Sequence, residues 1–226
     1  MDAALSPDLL AGHTLVDTLD PEEARQEIGR IFCPHFLSPR ARRAEGFHAV
    51  HRSVQHGLYS LNLVAYGSEV EIDPGELSRF FLLQVPLAGF ATVRCGAETA
   101  QVSPGRMASL LSPTLPTTMR WSDGCAKLIV LLDREAMEDR WEALAQRRTG
   151  AVEFATGVDM ACPTGRLILN HVRLMAESAD ASGIPELYRA RLGDDLALLL
   201  LSSVAHSQSA LLGQPQPAGS LAVARA

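Results

Sequence analysis

The chain has 226 residues, with 20 basic and 26 acidic side chains for a formal charge of −6, and it is 47% hydrophobic and 5% aromatic. That length can bury a full core, and the apolar content excludes a disordered chain. An acidic chain whose one basic cluster is Arg40-Ala41-Arg42-Arg43 is by itself a poor nucleic-acid binder, and no 20–50-residue repeat marks a solenoid.

The first element is a helix expected over 20–32. Asp20 can cap it, Pro21 suits its first turn, Glu23 stands three after the cap, and Ala24, Ile28 and Ile31 or Phe32 make one apolar stripe. Pro34 and Pro39 end it. From 47 to 132 the period changes to two. Strands are expected at 47–54, 58–66, 79–87, 89–95, 98–103, 107–112, 116–122 and 125–132, with turns at Asp73-Pro74-Gly75, Cys95-Gly96, Pro104-Gly105, Ser112-Pro113 and Asp123-Gly124. The Asp123-Gly124 pair predicts a hairpin with a type I′ turn. About eight short antiparallel strands argue for a sandwich or barrel.

Helices follow. Asp133 can cap one in which Met137, Trp141 and Leu144 share a face. A second is expected over 164–178 with Leu167, His171, Leu174 and Met175 inward. A third covers 186–207, where Leu192, Leu196, Leu199 and Ser203 step like a coiled-coil seam. The Pro/Gly-rich stretch 213–220 reads as a linker. The chain therefore divides into an arm and helix (1–46), a barrel (47–132), a helical subdomain (133–212) and a linker (213–226), an α+β architecture.

The first basic residue is Arg25, so neither a secretory signal nor a transit peptide is expected at the N-terminus. The most apolar run, 196–205, is half a bilayer long and reads as a buried helix. Cys33, Cys95, Cys125 and Cys162 are too dispersed for zinc spacing and suit reduced thiols in the cytoplasm. His48 and His56 would share a strand face about 27 Å apart with His51 on the other, poor geometry for one metal. The chain shows no Gly-x-Ser-x-Gly elbow and no Gly-rich phosphate loop, so no catalytic residue and no cofactor is expected. His171 reads as a packing histidine. Lys127 is the only lysine; Arg52, Arg94 and Arg120 lie in strands, and each singly is better read as decorating an outer face.

Four segments carry a resemblance: Gly57-Leu-Tyr-Ser-Leu-Asn-Leu-Val-Ala-Tyr-Gly67, Phe81-Leu-Leu-Gln-Val-Pro-Leu-Ala-Gly89, Ser103-Pro-Gly-Arg-Met-Ala-Ser-Leu-Leu-Ser-Pro113 and Trp121-Ser-Asp-Gly-Cys-Ala-Lys-Leu-Ile-Val130. In order and content they resemble the N-terminal domain of AraC/XylS-type transcriptional regulators. The resemblance implies a cupin-like jelly roll that binds a small effector, helices that form a homodimer, and DNA binding through a C-terminal helix-turn-helix domain. That last region does not follow Ala226, so the chain reads as a sensor domain cut at its linker.

The nearest branch of the family implies an aromatic carboxylate effector, benzoate-like, and control of genes for its catabolism. Phe81, Leu83, Met119, Trp121 and Ile129 are then expected as cavity walls, with His51, Arg52 or Asn62 fixing the polar end. The 186–207 helix is the expected dimer surface. A competing reading is a metal-dependent cupin enzyme acting on a small organic acid. The Pro104-Gly105 turn fits it, but the histidines such an enzyme places around that turn are missing.

Overall fold

The structure, a computed structural model, describes residues 9–39 and 46–212. The Arg40–Arg43 cluster, the start of the N-terminal arm and the 213–226 linker lie outside the described residues.

In chain order the elements are β1 (Thr14–Thr18), α1 (Pro21–Ile31), β2 (Phe36–Pro39), β3 (Ala49–His56), β4 (Tyr59–Ala65), β5 (Val70–Gly75), β6 (Phe80–Ala88), β7 (Ala91–Cys95), β8 (Glu98–Val102), β9 (Met107–Leu111), β10 (Thr117–Trp121), β11 (Ala126–Asp133), α2 (Arg134–Ala145), β12 (Gly157–Asp159), α3 (Pro163–Asp180) and α4 (Glu186–Ser203). The strands form two antiparallel sheets, ordered β1-β3-β4-β11-β6-β9-β12 and β2-β5-β10-β7-β8. This is a jelly roll with helices, an α+β fold.

All eight predicted strands are present, each within two residues at either end. β1, β2, β5 and β12 were not expected. Three of these are sheet edges, where only one flank is paired and little apolar surface is buried; β1 buries only Val16. β5 absorbs Asp73-Pro74-Gly75, which sequence reads as a turn.

Asp20 caps α1 by accepting from Glu22 N at 2.8 Å, and Asp133 caps α2 by accepting from Ala136 N at 2.9 Å. α4 stops at Ser203, four residues short of expectation, because Val204 is extended and His206 bridges to Phe154.

The Asp123-Gly124 turn is not a hairpin. β10 and β11 belong to different sheets, so the turn carries the chain from one sheet to the other. Ser122 O accepts from Cys125 N at 3.1 Å, and of the two central residues only Gly124 has positive φ (63°), which a type I′ turn does not allow.

Two separate cores result. The first lies between the sheets and includes Val64, Val70, Ile72, Leu82, Met119, Trp121 and Ile129. The second lies on the outer face of the seven-stranded sheet, beneath α2, α3 and α4, and includes Tyr59, Leu61, Leu128, Val130, Trp141, Ile168, Val172, Met175 and Leu200. The central strands of that sheet are therefore buried on both faces.

This double burial overturns several expected orientations. Phe81 and Leu83 point to the helices, whereas their neighbours Phe80 and Leu82 point into the sandwich. Leu192 and Leu196, expected at a dimer seam, pack against the same sheet, while Leu199 is half-buried and Ser203 exposed. On α3 the buried stripe is Ile168, Val172, Met175 and Ala179; Leu167 and Leu174 are exposed, as is Leu144 on α2. Gly193 allows α4 its close approach, since a Cβ there would stand 2.1 Å from the Tyr59 ring.

Leu196→Ala should therefore cost about 2–5 kcal/mol in urea unfolding, as for a buried leucine, without changing the sedimentation coefficient. A fully stable variant that sediments more slowly would return Leu196 to an intermolecular seam.

Candidate functional site

One row of side chains crosses the inner face of the seven-stranded sheet. Cross-strand pairing joins Ser53 on β3 to Asn62 on β4, Asn62 to Ile129 on β11, Ile129 to Gln84 on β6, and Gln84 to Ser109 on β9. The adjoining inward row joins His51 to Val64 and Val64 to Lys127. Four fully buried polar side chains, His51, Asn62, Gln84 and Ser109, and a lysine thus sit inside an otherwise apolar sandwich, with Ser53 half-buried at the end of the row. Such groups need partners or they cost stability.

Most find them. Lys127 Nζ donates to Gln84 Oε1 at 2.7 Å, and Ser109 Oγ donates to the same oxygen at 3.1 Å, which orients the amide so that its Nε2 faces Met119 Sδ at 3.2 Å. His51 Nε2 lies 3.0 Å from Asn62 Oδ1, and Asn62 Nδ2 donates to Ser60 Oγ at 2.9 Å.

Lys127 is 0% exposed and has no ion-pair partner among the described residues. Its Nζ stands 4.2 Å from the centre of the Trp121 ring. Burial pushes the amine down from its ordinary 10.5 to about 7. Burial likewise lowers the pKa of His51 and His35 and raises Cys125 to about 11.

Beside this polar row is a cavity of about 50 Å³, lined by Val64, Ile72, Leu82, Gln84, Met119, Trp121 and Ile129 from the strands. The segment of α1 and the turn after it adds Ile28, Phe32, Cys33 and His35 to the wall, which Tyr66, Pro74 and Leu77 complete. Phe32 stacks on His51, with centroids 5.4 Å apart. Trp121 Nε1 and His35 Nε2 on the wall, and His51 Nδ1 behind Phe32, are buried without a partner among the described residues.

Of the residues expected to line a site, Met119, Trp121 and Ile129 do line the cavity, and His51 with Asn62 lies behind Phe32. Phe81 and Leu83 lie on the opposite face of the sheet. Arg52 also points away, its Nη1 donating to Leu9 O at 3.0 Å. Lys127, Gln84 and His35 were missed as site residues. Two left a signal: a lone lysine within Ala-Lys-Leu-Ile-Val-Leu-Leu, and a glutamine within Phe-Phe-Leu-Leu-Gln-Val. His35 sits in an aperiodic turn and left none.

His48 pairs with Asp17 at 2.6 Å and His56 with Glu186 at 3.0 Å, each apart from His51. No group of three His, Cys, Asp or Glu able to hold a metal occurs among the described residues. No helix among them is long and apolar enough to cross a membrane.

A double-sheet jelly roll backed by helices and holding a small, largely apolar cavity defines a cupin-like binding domain. The family model for the AraC-binding-like domain matches residues 24–204, and the chain belongs to that family. Among solved structures, the AraC-like transcriptional activator CuxR superposes over 90% of this chain and 71% of its own, with a TM-score of 0.63 at 12% identity. The Schizosaccharomyces pombe Cnp3 cupin domain covers 41% of this chain and 69% of its own, with a TM-score of 0.35 and 10% identity. KdgF from Halomonas sp. covers 42% and 84%, with a TM-score of 0.34 and 14% identity. At these identities the first likeness concerns the fold alone, and the other two are too partial to argue from. No curated protein matches the chain.

The lone lysine gives a pH dependence with a definite sign. Between about 7 and 10.5 the unfolded chain holds the Lys127 proton and the folded chain does not, so stability rises with pH across that window and is flat below it. Relative to Lys127→Met, the wild type should gain up to about 1.4 kcal/mol per pH unit above pH 7, measured by urea unfolding from pH 6 to 9. Cys125 titrates in both chains and cancels. A difference independent of pH would show that Lys127 keeps its charge on burial.

Proposed function

We propose that this chain is the effector-sensing domain of an AraC/XylS-type transcriptional regulator, and that its effector is a small aromatic acid, benzoate-like, whose catabolic genes the regulator controls. One observation carries the reading: a completely buried lysine, with no counter-charge among the described residues, whose partners Gln84 and Trp121 line an apolar cavity. A carboxylate would supply that charge through a charge-assisted hydrogen bond, and an apolar ring suits the walls. The domain acts by binding and not by catalysis, and it works in the cytoplasm.

Size constrains how the acid enters. A cavity near 150 Å³ takes benzene, whereas this one measures about 50 Å³. A ring therefore fits only if a ring-sized group leaves. Phe32 is that group, because it lines the cavity at the end of α1 and lies on His51. Displacing it moves the α1 wall, which couples occupancy to the arm and the edge strands packed beside α1. The shift is limited by the ligand's differential affinity for the two arrangements.

A second copy would dock on the exposed faces of α3 and α4, where Leu167 and Leu174 stand seven residues apart and Leu187 and Leu198 eleven apart, each pair on one helix face. DNA would be contacted through a separate helix-turn-helix domain of the regulator. Leu198→Glu should give monomers in sedimentation with the fold intact; an unchanged dimer would move the interface elsewhere.

Calorimetry with benzoate, salicylate and anthranilate tests the effector reading. Saturable binding by at least one acid is expected. Phe32→Ala should bind it several-fold (~3–10-fold) tighter, although the variant itself is less stable, because the competing ring is gone. No response from any acid, in wild type or variant, would refute the reading.

A further inference from the structure

We infer that the effector carries a hydrogen-bond donor, a hydroxyl or amino group, in addition to its acid, and that His35 reads this donor. The inference rests on the effector reading above and narrows it to a class of acid.

The argument is one of donors and acceptors. His35 follows Pro34 in the turn between α1 and β2, and its ring lies beside Gly29 of α1. Its Nδ1 is 3.0 Å from the Cys33 carbonyl oxygen. A carbonyl only accepts, so Nδ1 holds the proton and Nε2 presents a lone pair. That Nε2 is buried in a nine-tenths-buried side chain on the cavity wall, and nothing among the described residues donates to it. Burial also keeps the ring neutral, so Nε2 remains an acceptor near pH 7.

His51 repeats the pattern behind Phe32. Asn62 Nδ2 is committed to Ser60, so Asn62 presents its Oδ1 to His51 Nε2, which donates; His51 Nδ1 is left with an unmet lone pair.

The other unmet groups are of the opposite kind. Trp121 on β10 has a buried indole N–H with no acceptor, and Lys127 on β11 has donor capacity beyond its bond to Gln84. An acid group satisfies these donors and leaves the histidine acceptors unmet. A plain benzoate would thus leave the already buried His35 Nε2 without a partner. A hydroxy or amino acid of the same size would not, and a methyl ether of that hydroxyl would fail as benzoate does. The difference expected for one unmet buried acceptor is about tenfold in affinity or more.

The test is calorimetric titration, at pH 7, of benzoate, 3- and 4-hydroxybenzoate, 3- and 4-aminobenzoate and the two methoxybenzoates. At least one hydroxy or amino acid should bind about tenfold tighter than benzoate, and a preferred hydroxy acid should bind as much tighter than its methyl ether. The hydroxyl and amino arms show which donor is read. His35→Leu should bring the ratio near one, and His35→Gln, whose Oε1 can accept, should restore part of it. Thermal melts of both variants check the fold.

Equal affinity for benzoate, donor-bearing acids and ethers would overturn this inference and leave the cavity reading standing. A preference that survives in His35→Leu would do the same. Failure of every acid to bind would overturn both.

Discussion

A primary amine held at zero exposure, with one neutral hydrogen-bond partner and one aromatic face, constrains the whole interior of the sandwich. Water would solvate it better, so its position is bearable only because Gln84 accepts from it, Ser109 fixes Gln84, and Trp121 covers it. Each of these neighbours is itself placed by strand register: Gln84 and Ser109 face each other across β6 and β9, and Trp121 faces inward from the opposite sheet. The same arrangement leaves the amine ready for an anion, since a carboxylate arriving there meets a desolvated partner instead of displacing an existing salt bridge.

Much of the fold was legible because turns and caps are local. Gly, Pro and Asp mark where eight strands stop, and Asp20 and Asp133 cap the helices that sequence assigns to them. Orientation was most legible where one face meets solvent. On β10, Thr118 and Arg120 are exposed, so alternation correctly turns Met119 and Trp121 inward. On β6 both faces are buried, and the run Phe80-Phe81-Leu82-Leu83 has no polar face to set its register. Likewise the leucine-dense α4 satisfies almost any three-four spacing, so a seam could be drawn through residues that pack against their own sheet. Turn direction failed for a different reason. Asp123-Gly124 specifies a tight reversal, but whether the chain returns to the same sheet or crosses to the other is decided by the strands it joins.

The wall formed by α1 and the turn after it is the part of the cavity least tied to the sheets. It supplies the ring that fills the space, through Phe32, and an unmet acceptor, through His35. A domain built to be filled from solvent would place its removable wall on such a segment, because moving it breaks side-chain packing without breaking a sheet ladder. Ligand identity and mechanical response would then be read at one place.

The central claim is that Lys127 sits buried and without a counter-charge until an anion arrives. Because it is the only lysine, selective 13Cε-lysine labelling yields a single side-chain NMR resonance. The resonance should titrate near pH 7 in the free protein, as its burial requires, and move to higher pH when a bound carboxylate restores the charge. A titration near the ordinary value of about 10.5, unaltered by any acid, would contradict the account.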